Sequence, residues 1–207
     1  TDAPRGLRDR AILETLYATG VRRQELAALK IDDIDLENGR LMVRQGKGKR
    51  DRLLPLSERA CAWIEKYLEE SRFQISRGAD DGSLFISHIG KRMHPEQMTK
   101  IVRRSIEAAE IEKPGACHLF RHTLATLMLE GGADLRYVQA MLGHADISTT
   151  EIYTRVAIGK LQEALEKSHP GAKLGRRAKV AVESDNVEDP RAAFLDELAS
   201  EDDETTN

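Results

Sequence analysis

Two histidines stand four residues apart in "CHLFRHTLATLMLEGG", with an arginine between them: His118, Arg121 and His122. On a helix, positions i and i+4 share a face, so His118 and His122 have the spacing of a two-histidine metal site. The neighbours argue otherwise. A zinc motif of the HExxH kind needs a glutamate directly after the first histidine, and Leu119 stands there instead. A third ligand would have to come from a distant segment, and Arg121 would repel a divalent cation. His118 and Arg121, three residues apart at the start of a helix, also share a face, and a guanidinium in that position suits an anionic group.

Other residues with usable chemistry are scattered. Arg22 follows Gly20 at a junction between helices, with Glu25 three residues on. Lys47 sits in "GKGK" at the tip of an expected hairpin, His144 follows Gly143, and Tyr153 lies nine residues further along. Singly, each has a plain structural explanation. Arg22 and Glu25 form a helical ion pair, Lys47 is a solvated turn residue, His144 caps a helix, and Tyr153 is a half-buried packing residue.

The elements that must position them are mostly helices. "RGLRDRAILETLYATG" has helical apolar spacing and ends on Gly20, and "VRRQELAALK" resumes as a second short helix. Asn38-Gly39 marks a hairpin turn before "RLMVRQ", and "GKGKR" turns into "DRLLPL", giving antiparallel strands, with "GSLFIS" as a further strand. Ser57 and Glu58 open a long amphipathic helix, and Pro95 opens another at "PEQMTKIVRRSIEAAE". "RHTLATLMLE", "DLRYVQAMLG" and "STTEIYTRV" follow as helices, the last capped near Ser148, and "IGKLQEALEKS" runs to Pro170-Gly171. The fold class is therefore α+β, mainly α-helical, with a small antiparallel sheet of about three strands.

Composition narrows the class. Aromatics are 4% of 207 residues and charged residues 32%, which favours a helical chain over an all-β one. No apolar run reaches membrane-spanning length and no signal peptide is visible. Cys61 and Cys117 form no CxxC pair, and a reduced, cytoplasmic setting is expected. The net charge of -3 conceals an asymmetry: from Val180 onward ten acidic residues face a single basic one, Arg191. The remainder carries a net +6, compatible with a polyanionic partner. Residues 1–170 form the expected compact unit, and 171–207 read as a largely disordered acidic tail. Within it, "DPRAAFLDELASE" places Phe194, Leu195 and Leu198 on one face of a possible short helix.

Taken together, "HLFRHTLATLMLEGGADLRYVQAMLGHADISTTEIYTRV", "ATGVRRQELAAL" and "VRQGKGKRDRLLPL" resemble, in order, the signature segments of the tyrosine recombinases, the phage-integrase family, and within it the Xer-like members. The resemblance runs from about Arg8 to about Ser168. It implies that Arg22 and Arg121 are catalytic arginines, Lys47 the hairpin lysine and His118 the partner of Arg121 in HxxR. It further implies that His144 fills the histidine-or-tryptophan position and that Tyr153 is the nucleophile. His122 is implied to be structural and Glu25 to orient Arg22 or its loop.

The implied activity is site-specific DNA recombination, as in integration, excision or dimer resolution, through a 3′-phosphotyrosyl intermediate without metal, ATP or other cofactor. The implied partners are double-stranded DNA, three further recombinase subunits in a homo- or heterotetramer, and an accessory protein, with no membrane. Arg44, Lys49, Arg50, Arg103 and Arg104 are candidate phosphate contacts. The family's N-terminal DNA-clamping domain is expected to lie outside this sequence. The segment "VAIGKLQEALEKS" is the candidate for exchange between subunits. Two alternatives share these residues: a type IB topoisomerase that relaxes DNA without strand exchange, and a DNA-binding relative without catalysis. The full set Arg22, Lys47, His118, Arg121, His144 and Tyr153 argues against the second.

Overall fold

Pro4, whose missing N–H belongs to a first turn that has no use for it, starts α1 (Pro4–Thr19), and Gly20 ends it in the left-handed conformation at φ 59°. The structure, a computed structural model, describes residues 3–44, 51–76, 81–112, 115–143 and 155–171. A second short helix, α2 (Arg23–Ala28), follows the Gly20 corner, and a 3-10 turn (Ile31–Asp33) leads into the sheet.

The sheet has three antiparallel strands in the order β1 (Ile34–Asp35), β2 (Arg40–Val43) and β3 (Arg52–Pro55). Leu41 pairs with Leu54 and Val43 with Arg52. Alternation puts Leu41 and Val43 of β2 and Leu54 of β3 into the core. The Asn38-Gly39 turn joins β1 to β2, as its sequence predicts.

The expected strand at "GSLFIS" does not form. This segment makes only isolated bridges, Lys30 with Ser83 and Ile86 with Arg92, and the third strand is β1. The reason lies in its burial: Leu84, Phe85 and Ile86 are all in the core, so neither side is left for a solvated strand face. Side chains take the carbonyl groups that a ladder would use. Tyr67 Oη donates to the Leu84 carbonyl at 3.1 Å and Arg72 Nη2 to that of Ser83 at 2.6 Å.

Ser57 caps α3 (Glu58–Tyr67) by accepting the Ala60 N–H at 3.2 Å. The expected long helix continues through a wider π turn (Leu68–Arg72) into α4 (Phe73–Ser76). Then come α5 (Pro95–Ala108), α6 (Cys117–Glu130), α7 (Leu135–Leu142) and α8 (Arg155–Ser168). Helix α1 packs against α3 and α6, and α8 lies against β3, α6 and α7. One core runs through these contacts, with Ile12, Leu16, Leu26, Leu54, Ile64, Met98, Leu124 and Leu142 all fully enclosed. Ile158, Leu161 and Leu165 seal α8 onto it. Among the described residues no helix is long and apolar enough to cross a membrane. The acidic tail and its expected short helix lie outside the described residues.

Candidate active site

The site is assembled around the Gly20 corner. A Cβ on Gly20 would stand 2.9 Å from Cδ2 of both Leu124 and Leu142 and 3.5 Å from the Arg121 Cα. Only a residue without a side chain, tolerant of φ 59°, lets the end of α1 come this close to α6 and to the end of α7. The close approach joins three distant segments: the start of α2 with Arg22, the first turns of α6 with His118 and Arg121, and the C-terminus of α7.

Arg121 is buried, at 6% exposure, and its Nη1 donates to the Gly20 carbonyl at 3.1 Å. Arg22, half-buried, donates through Nη1 to the Leu142 carbonyl at 3.4 Å and approaches Glu25 Oε1 at 3.5 Å. Both guanidinium groups are thus tied to the same corner by main-chain carbonyls. His118, one turn before Arg121 on α6, is exposed and its imidazole rests against Gly115, where a Cβ would meet Nε2 at 2.8 Å. His122 is half-buried on the same helix.

Glu25 anchors this arrangement. Its carboxylate accepts the Arg22 main-chain N–H at 2.9 Å, the N-terminal half of a capping box. It also receives both prongs of the Arg52 guanidinium, Nη1 to Oε1 at 2.8 Å and Nη2 to Oε2 at 2.6 Å. Burial by itself would raise the Glu25 pKa. The Arg52 fork, with the Arg22 N–H and the Arg22 charge, outweighs it and holds the carboxyl below the ordinary glutamate range. The expectation that Glu25 stands beside Arg22 agrees with this geometry.

Sequence reasoning missed Arg52. The signal was available: Arg52 stands two residues before Leu54 on a strand, so it occupies the inward face. A guanidinium there requires a buried anionic partner.

Lys47, His144 and Tyr153 lie outside the described residues. In the sequence, Val43 and Arg52, the last register pair of β2 and β3, stand on either side of Lys47, and Gly143 precedes His144. Of the candidate phosphate contacts, Arg44 is exposed and paired with Asp33 at 2.5 Å, and that carboxylate raises its pKa further. Arg103 and Arg104 are exposed on α5, while Lys49 and Arg50 lie outside the described residues. Among the described residues no three His, Cys, Asp or Glu side chains gather as a metal site.

The arrangement can bind an oxyanion. Two planar guanidinium groups on one corner, with an exposed imidazole a helical turn away, offer forked donors that match phosphate oxygens.

The profile of the phage integrase family matches residues 1–159. A "Tyrosine recombinase XerC 2" of Ralstonia nicotianae is 46% identical over 195 residues, covering 94% of this chain and 55% of that protein. A "Tyrosine recombinase XerD" of Listeria monocytogenes is 44% identical over 173 residues, covering 83% and 58%. The crystal structure of XerA recombinase superposes with a TM-score of 0.63 at 36% identity, covering 79% of this chain and 59% of that one. XerH site-specific recombinase bound to difH substrate, a pre-cleavage complex, gives 0.59 at 31% identity, covering 71% and 42%. The chain therefore spans little more than half the length of the curated relatives it matches. With the family profile across nearly all the described helices and relatives this similar along most of its length, the chain belongs to the phage integrase family, the tyrosine recombinases.

Proposed function

We propose that this protein is the catalytic part of a site-specific DNA recombinase. The observation that carries the reading is the convergence of Arg22 and Arg121 on the Gly20–Leu142 corner, in a chain whose relatives are recombinases. The Tyr153 oxygen attacks a DNA phosphorus, forming a 3′-phosphotyrosyl ester as the bond to the 5′ oxygen breaks. The departing oxygen takes a proton and leaves as a 5′-hydroxyl. Attack by that hydroxyl, or by one from a partner strand, reverses the step and frees the tyrosine. The ester bond is conserved throughout, so no ATP is consumed.

A phenol with a pKa of about 10 is a weak nucleophile at neutral pH and needs a proton acceptor, the role assigned to His118. Lys47 supplies the proton to the 5′ oxygen. Arg22 and Arg121 grip the non-bridging oxygens, on which charge develops in the phosphorane, and His144 adds a hydrogen bond. Preorganised donors of this kind contribute about 3–4 kcal/mol each.

The whole assembly is double-stranded DNA held by a tetramer of recombinase subunits in the cytoplasm, with an accessory protein as a further partner. The naming of the relatives as recombinases favours strand exchange over simple relaxation. A nicked suicide duplex carrying the target site tests the reading. Wild-type protein should form an adduct resistant to SDS, and Tyr153→Phe should form none. Absence of adduct from the wild type, or its persistence in the variant, would overturn the assignment. Relaxation of a plasmid without a target site would favour a topoisomerase.

A further inference from the structure

Arg52 is 4% exposed, so it does not reach DNA, yet it touches two of the segments that meet at the site, α2 through Glu25 and the end of α7 through Gly143. Its guanidinium forks onto Glu25 at 2.8 and 2.6 Å. Glu25 in turn holds the Arg22 main-chain N–H at 2.9 Å. The same guanidinium packs on Gly143, where a Cβ would lie 3.0 Å from Cζ and Nε and 3.1 Å from Nη1. Gly143 sits in the left-handed conformation at φ 69°, between Leu142, whose carbonyl receives Arg22 Nη1, and His144. Through its own strand, Arg52 pairs with Val43 as the last register pair of β2 and β3, at the base of the connection that carries Lys47.

Stability does not account for such a residue. Replacing a buried ion pair by well-packed apolar side chains is often neutral or stabilising, because two charges must lose their water. Here the cost is higher still, since Arg52 Nε is buried without an acceptor among the described residues. What a forked guanidinium adds over an apolar residue is geometry: it fixes the plane of Glu25 and the position of Gly143 together.

We propose that Arg52 is a positioning residue for DNA strand cleavage, which fixes Glu25 and the Gly143 corner and through them aims Arg22 at the scissile phosphate. The inference rests on the recombinase reading above, and its test separates the two. Wild-type chain, Arg52→Lys and Arg22→Ala are compared in single-turnover cleavage of a nicked suicide duplex. A second duplex carries a neutral methylphosphonate at the scissile position. No adduct from the wild type on the phosphate duplex overturns the recombinase reading itself.

If the wild type reacts, Arg52→Lys should cleave the phosphate duplex about 100-fold more slowly, the loss typical of one displaced transition-state donor, with its DNA affinity retained. On the methylphosphonate duplex there is less charge for an arginine to neutralise. The deficits of Arg52→Lys and Arg22→Ala relative to wild type should therefore shrink together. A merely structural role would slow both duplexes equally, and that result overturns the proposal. Where Arg52→Lys loses its helical circular dichroism, the doubly apolar variant Arg52→Leu/Glu25→Leu replaces it, with both buried charges removed. Wild-type cleavage by that variant, once folded, also overturns the proposal; the same selective deficit on the phosphate duplex supports it.

Discussion

Arg121 donates to the main-chain carbonyl of Gly20 at 3.1 Å, a hydrogen bond that spans 101 residues of sequence. It links the first turn after α1 to the helix that carries His118, and so places two arginines at one corner without help from a ligand. In the proposed reaction, donors fixed in advance would need no reorganisation as charge develops.

If that corner depends on Gly20, Gly20→Ala should damage it. The substitution forces a side chain into the left-handed region and against Leu124 and Leu142 at 2.9 Å. The conformational cost of about 1–2 kcal/mol, with overpacking of about 1–3 kcal/mol, predicts a fall in Tm of roughly 5–15 °C. Thermal unfolding followed by circular dichroism checks it, and an unchanged Tm would contradict the close approach.

Arg121→Lys keeps a positive charge but loses the fork and the geometry of the Gly20 bond. Cleavage of a suicide duplex should fall about 100- to 1,000-fold, while DNA retention in a gel shift stays close to wild type. A loss of less than about tenfold would mean that charge alone suffices at this position.

His169 predicts a pH dependence of stability. It is buried at 3% exposure beside Tyr17, the ring centroids 4.3 Å apart, and burial pushes its pKa down to about 4. The unfolded chain binds this proton near pH 6.5 and the folded chain refuses it until about pH 4. Stability is therefore fully present above the unfolded value and declines as pH falls between the two, by up to about 3 kcal/mol. Tm measured from pH 7 to 4.5 should fall in the wild type, and the slope should flatten in His169→Phe, which keeps an aromatic ring against Tyr17. Equal slopes would contradict this placement of His169.

The proposed neutralisation of charge by arginine and histidine side chains predicts cleavage that needs no metal. Adduct formation in excess EDTA should equal that in a magnesium buffer. Loss of adduct on chelation, restored by a divalent cation, would move part of the chemistry to a metal.

How much of this was legible in the sequence follows from the physics of each element. Helices α1, α3, α5, α6 and α7 announce themselves through apolar spacing and through caps such as Gly20, Ser57, Pro95 and Gly143, all of which act locally. The segment at 83–87 did not, because an unbroken apolar run fits a strand or any chain passing through a core. Tyr67 and Arg72, distant in sequence, decide its hydrogen bonding. Spacing put His118 and Arg121 on one helical face and suited them to an anion, whereas Arg22 joined them only through the family pattern, since alone it had a plain alternative. Arg52 was missed because its role depends on a carboxylate 27 residues away on another element.

The central claim is that Tyr153 becomes covalently joined to a DNA 3′ end. Wild-type protein trapped on a suicide duplex can be digested with protease and nuclease and the nucleotide-bearing peptide identified by mass spectrometry. The claim predicts a single modified peptide with the 3′ nucleotide on Tyr153, together with a 5′-hydroxyl on the released strand that polynucleotide kinase labels without prior phosphatase treatment. A modification on another residue, a linkage through the 5′ phosphate, or no covalent peptide at all would contradict it.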